Sequence, residues 1–104
     1  MNAKWLIAPI AAAALFVSGQ ASADLDLAKK SGCLACHSIE KKIVGPAWKD
    51  VAAKYKGDAS ARDMLIGKVK KGGKGTWGPA PMPPYSPRVS DANIEKLVDF
   101  ILDL

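Results

Sequence analysis

The chain has 104 residues, with 15 Lys plus Arg against 10 Asp plus Glu, two Cys and one His. Length predicts one folded domain and excludes a two-domain enzyme. The 49% hydrophobic content is concentrated at the start, and the formal charge of +5 calls for an explanation in partners or solvation.

The first segment carries Lys4 and then the apolar run Trp5 to Val17. That run is shorter than the roughly 18 residues of a membrane span. It ends in Ala21-Ser22-Ala23, the small-residue pattern accepted by signal peptidase. Residues 1–23 are therefore expected to be a cleaved export signal, with the mature domain at 24–104 and no stable membrane insertion. Losing Lys4 lowers the net charge by one. A domain of about 80 residues buries little more than 60% of its unfolded surface and usually needs a disulfide, metal or other staple.

Asp24 to Ser31 reads as a short helix, with acids at its start, Lys29 and Lys30 at its end and Gly32 as the stop. A second helix is expected over Ala47 to Tyr55, entered through Gly45-Pro46 and stopped by Gly57. A third is expected from Ser60, as N-cap with Asp63 three residues on, to Gly72-Gly73. Gly72 to Val89 holds five of the seven prolines and reads as a long ordered loop, neither helix nor interior strand. Ser90 caps the last helix, whose apolar residues Ile94, Leu97, Val98, Ile101 and Leu102 form one face. Leu25 and Ala28 of the first helix are its expected partners. No alternating apolar run suggests a strand, so the fold class is all-α, three to four helices around one covalently bound group.

That group is named by Cys33-Leu34-Ala35-Cys36-His37, the C-x-x-C-H pattern of c-type haem attachment. Two thiols three positions apart can form thioethers on one porphyrin edge while the adjacent imidazole reaches the iron. Zinc usually takes four Cys or His ligands, and residues 24–104 contain three. A thioredoxin-like pair needs a β-α-β context, and a disulfide between Cys33 and Cys36 would close a very small, strained loop. One covalent haem c supplies the staple.

With one His, the second axial ligand falls to Met64 or Met82. Met64 sits beside Leu65 in the apolar pattern of the third helix and reads as core. Met82, in Pro81-Met82-Pro83-Pro84, lies in a rigid loop where an exposed Met has little packing purpose, and is assigned as distal ligand. With both positions filled, the chemistry is outer-sphere transfer of one electron, and thioether ligation raises the potential relative to a bis-nitrogen centre. Two other readings remain: an open-site haem enzyme or gas sensor in which Met82 does not bind, and an electron-transfer subunit of a membrane oxidoreductase.

The chain resembles the small monohaem class I cytochromes c of bacteria, the cytochrome c-551 type, over essentially all of residues 24–104. The resemblance rests on Gly32 to His37, on Val44-Gly45-Pro46-Ala47 with Lys49 to Tyr55, on Gly75-Thr76-Trp77-Gly78-Pro79 and on Pro81-Met82-Pro83-Pro84. It implies that the Pro46 carbonyl accepts the proximal imidazole N–H and that Trp77, assisted by Lys68, binds a haem propionate. It also implies a monomeric periplasmic carrier in respiration or denitrification. The expected partners are redox proteins: a quinol-cytochrome c reductase as donor, and a nitrite reductase or terminal oxidase as acceptor. Many relatives carry Asn after the second proline, donating to the Met sulfur, where this chain has Tyr85. Lys68, Lys70, Lys71 and Lys74, with Lys29, Lys30, Lys41 and Lys42, read as a solvated face or as steering toward an acidic partner. Nucleic acid is not expected of an exported chain without a binding motif.

Overall fold

Ile94 and Val98, one turn apart on the apolar stripe of the last helix, are the largest side chains fully removed from solvent. The other helices are arranged around that stripe. The computed structural model describes residues 22–104. Residues 1–21 of the expected export signal lie outside the described residues.

Helix α1 occupies residues 22–30 and turns at Gly32, whose φ of 84° suits glycine. Leu27 and Ala28 turn to the core, whereas Leu25, expected there, is 38% exposed. A short 3-10 helix, Cys33–Ala35, follows directly. Helix α2, Trp48–Lys54, begins one residue later and ends one earlier than expected, with Ala47 extended as its N-cap.

Helix α3 spans Ala61–Lys71. Ser60 precedes it but does not cap it through its side chain. Its hydroxyl and its backbone N–H instead donate to Asp58 Oδ1, at 2.6 and 2.9 Å. An ionised acceptor competes better for the hydroxyl than a helix N–H does, so Asp58 organises the entry turn.

The segment after α3 corrects the expectation of a loop without strands. Gly73–Gly75 (β1) and Gly78–Met82 (β2) form an antiparallel ribbon in which Gly73 pairs with Met82 and Gly75 with Gly78. Pro79 and Pro81 lie inside β2. Backbone N–H groups alternate sides along a strand, and a two-stranded ribbon has a free edge on each strand. Prolines between the paired positions Gly78 and Met82 therefore remove no ladder donor. Two short strands leave the domain all-α in class.

Helix α4, Asp91–Leu102, is capped as expected, Ser90 Oγ accepting from the Asn93 N–H at 3.2 Å. It packs on α2 and α3. Its outer stripe of acids meets cations from α3: Arg62 reaches Asp99 at 2.7 Å and Glu95 at 3.3 Å, and Lys70 reaches Asp91 at 3.2 Å. Trp48, Val51, Tyr85 and Val89 complete the core around Ile94, Leu97 and Val98. Among the described residues no helix is long and apolar enough to cross a membrane.

Candidate haem cleft

Apolar side chains that find no partner in this small core open instead onto one cleft of about 1180 Å³. Its lining takes Cys33, Cys36, His37 and Pro46 from the attachment turn and the segment after it, Met64, Leu65 and Val69 from α3, Met82 from β2, and Leu97, Val98 and Ile101 from α4. The only charged residues lining it are Lys68 and Lys74, with no carboxylate.

The part of the lining around His37 is built by backbone closure. The Val44 and Gly45 N–H groups both donate to the Cys36 carbonyl, at 3.2 and 2.8 Å, folding the segment after His37 back over the attachment turn. His37 Nδ1 donates to the Pro46 carbonyl at 2.8 Å, which holds the proton on Nδ1 and leaves the Nε2 lone pair free. The ring stacks on Trp48, with centroids 5.5 Å apart and planes 22° from parallel. Trp48 is itself buttressed edge-on by Phe100 at 6.1 Å. A Cβ at Gly45 would sit 2.5 Å from His37 Cε1, so only glycine lets the loop approach this closely. The imidazole is therefore oriented by a hydrogen bond, a stacked ring and a backbone contact. The roles of Gly45 and of Trp48 beneath the imidazole were not legible from spacing, because both depend on a loop closing in space.

Cys33 and Cys36 both line the cleft and are not joined in a disulfide. Burial is the main cause that pushes the Cys33 thiol above its ordinary pKa, with a backbone hydrogen bond and the Arg88 charge opposing it.

Met82, also in the lining, is half-buried at the end of β2. Its carbonyl packs so closely on Gly72 that a Cβ there would collide with it. The chain beyond is tied to α3 by Tyr85 N–H to the Val69 carbonyl at 3.0 Å and Ser86 N–H to the Lys70 carbonyl at 3.3 Å. Met64 departs from the core expectation: it is 43% exposed and also borders the cleft. The inner face of α3 meets the cleft rather than packed protein, so an apolar position there need not be buried. Trp77 lies on the hairpin turn, 38% exposed, and lines the cleft together with Lys68.

A planar macrocycle with an apolar body, two attachment points on one edge and anionic substituents fits this donor set. Two thiols, a fixed imidazole and a thioether line one cleft, and no protein carboxylate lines the space. Among the described residues no three His, Cys, Asp or Glu side chains gather as a metal site of their own. The profile described as Cytochrome c matches residues 25–104. The chain belongs to the cytochrome c family.

Cytochrome c-552 of Nitrosomonas europaea is 53% identical over 104 residues, covering 100% of this chain and 99% of that one. Cytochrome c-551 of Allochromatium vinosum is 58% identical over 91 residues, covering 88% and 96%. The crystal structure of wild-type Nitrosomonas europaea cytochrome c552 superposes with a TM-score of 0.72 at 53% identity, covering 76% of this chain and 96% of that one. This cytochrome c is thus a class I monohaem protein carrying one covalently attached haem c. It is an electron carrier and not an enzyme, and its partners are redox proteins.

Proposed function

We propose that this cytochrome c is a soluble, monomeric periplasmic carrier of single electrons with His37 and Met82 as its axial iron ligands. Cys33 and Cys36 carry the thioethers. Residues 1–23 are the export signal, cleaved after Ala23. A quinol-cytochrome c reductase is the donor, and a nitrite reductase or terminal oxidase the acceptor, in respiration or denitrification.

The observation that carries the reading is the 2.8 Å bond from His37 Nδ1 to the Pro46 carbonyl, in a cleft that Met82 also lines. The carbonyl keeps the proton at Nδ1, so Nε2 is presented as a neutral donor in one orientation. Met82 is supported from behind by Gly72 and by the hydrogen bonds that tie Tyr85 and Ser86 to α3. Bound haem supplies a one-electron ferrous–ferric couple. The apolar side chains of α3 and α4 exclude water, and Trp77 and Lys68 hold a haem carboxylate at the rim. A rigid ligand set changes little between oxidation states, and outer-sphere transfer then needs only an accessible edge.

Met64 borders the same cleft, so the decisive experiment compares the two methionines. Red-region absorption of the oxidised protein should show the sulfur-to-iron charge-transfer band near neutral pH. Met82→Ala should abolish it, whereas Met64→Ala should leave it intact. Loss of the band only in Met64→Ala would transfer the assignment, and its absence in the unaltered protein would favour the open-site reading.

A further inference from the structure

Lys54 ends α2 with its ammonium unpaired by any carboxylate among the described residues. Its Nζ lies 5.6 Å from the centre of the Tyr55 ring and 5.8 Å from the centre of the Trp77 ring. Tyr55 adjoins α2 and Trp77 lies on the hairpin turn, and both rings line the haem cleft. The ammonium therefore lies between a ring beside α2 and a ring of the hairpin turn, both part of the cleft lining.

The hairpin has few other ties there. Outside its own ladder, no backbone or side-chain hydrogen bond joins residues 73–82 to the rest of the described chain. The charged groups around it are all cationic: Lys54 from α2, Lys68 from α3, whose Nζ crowds Gly73, and Lys74 on β1. Three ammonium groups at one rim repel one another unless aromatic faces or an anion offset the charge.

We propose that Lys54 is a positioning residue for Trp77: its ammonium, between the Tyr55 and Trp77 rings, pins the hairpin turn and holds the indole in place for a haem carboxylate. The carboxylate part rests on the role given to Trp77 above; the clamp itself rests on the ring distances and the otherwise untethered hairpin. Lys54 also adds positive charge at the rim, which disfavours the ferric state.

The test uses the haem-loaded protein and its Lys54→Met, Lys54→Arg and Trp77→Phe variants. Indole N–H exchange of Trp77 is read by NMR against that of Trp48, the buried internal standard. Lys54→Met should speed Trp77 exchange about fivefold relative to Trp48, the size of an exposed cation–π contact. Its reduction potential should also fall. Lys54→Arg, which keeps both charge and ring contact, should match the parent in both measurements. Equal acceleration of Trp48 and Trp77 would reduce Lys54 to a general stabiliser and overturn the clamp, as would unchanged exchange. If Trp77→Phe leaves the potential at the parent value, the carboxylate role of Trp77 falls, and the exchange ratio still judges the clamp separately.

Discussion

Tyr85 follows the Pro81-Met82-Pro83-Pro84 run at the position where many class I relatives place an amide beside the Met sulfur. In this chain the position has become part of the core. The ring is 8% exposed and packs with Val89, Ile94 and Val98, while Arg88 covers it with a guanidinium 4.8 Å from its centre. No hydrogen bond joins its hydroxyl to Met82 among the described residues. Tyr85→Asn should therefore destabilise the protein by about 3 kcal/mol through the lost ring. It should also change the reduction potential, because an amide can donate to the sulfur. Chemical denaturation and redox titration read the two effects, and an unaltered potential would count against the second. Cys33, Cys36 and His37, the proposed attachment residues, stand out in the sequence because the C-x-x-C-H pattern is encoded in nearly adjacent positions. Met64 was misread because helical periodicity marks an inward face without saying whether protein or cofactor lies opposite.

At the scale of elements, all four helices were legible, and α4 most of all, since a capped stripe of Ile94, Leu97, Val98, Ile101 and Leu102 has one way to face a core. The entry to α3 was legible as a boundary but not in its chemistry. Asp58, rather than Ser60 alone, organises it, and the hydrogen bonds from Ser60 hold its carboxyl below the usual carboxylate range. The folded pKa thus lies below the unfolded value of about 4. The stabilisation is complete above that pH and is lost as pH falls through the lowered folded value. Asp58→Ala should be less stable than the parent at neutral pH and converge with it in acid. Denaturation midpoints across that range check this, and a gap independent of pH would remove the assignment. The β1–β2 ribbon was missed because its pairing involves glycines and prolines, which carry no alternating apolar signal, and because proline is acceptable at positions only the register identifies.

For the whole molecule, the decisive quantity is how little of the chain packs on itself. Among the described residues only Ile94 and Val98 are large and fully buried, while Leu65, Val69 and Ile101 remain half-buried beside the cleft. A chain of about 80 residues has small reserves, and haem completes its interior. Cys33→Ala/Cys36→Ala protein prepared without haem should therefore lose most of its far-UV helical signal and its cooperative thermal transition. Retention of both would show that the polypeptide core suffices alone. Charge is organised at the same scale: the acids of α4 meet Arg62 and Lys70 on the far side of α3, and the cleft lining retains only cations. Ionised haem carboxylates would offset part of the sequence charge of +5 at that rim.

By itself the sequence determined the export signal as an expectation, the all-α class, the attachment motif and the two possible thioether ligands, because periodicity, caps and short motifs are local. The tertiary structure decided what surrounds them: Trp48 and Gly45 against the imidazole, Tyr85 in the core rather than on the Met82 sulfur, both methionines at one cleft, and Lys54 between two rings. Those contacts join residues far apart in the chain, where spacing carries no information and only the packing of one element on another brings the groups together.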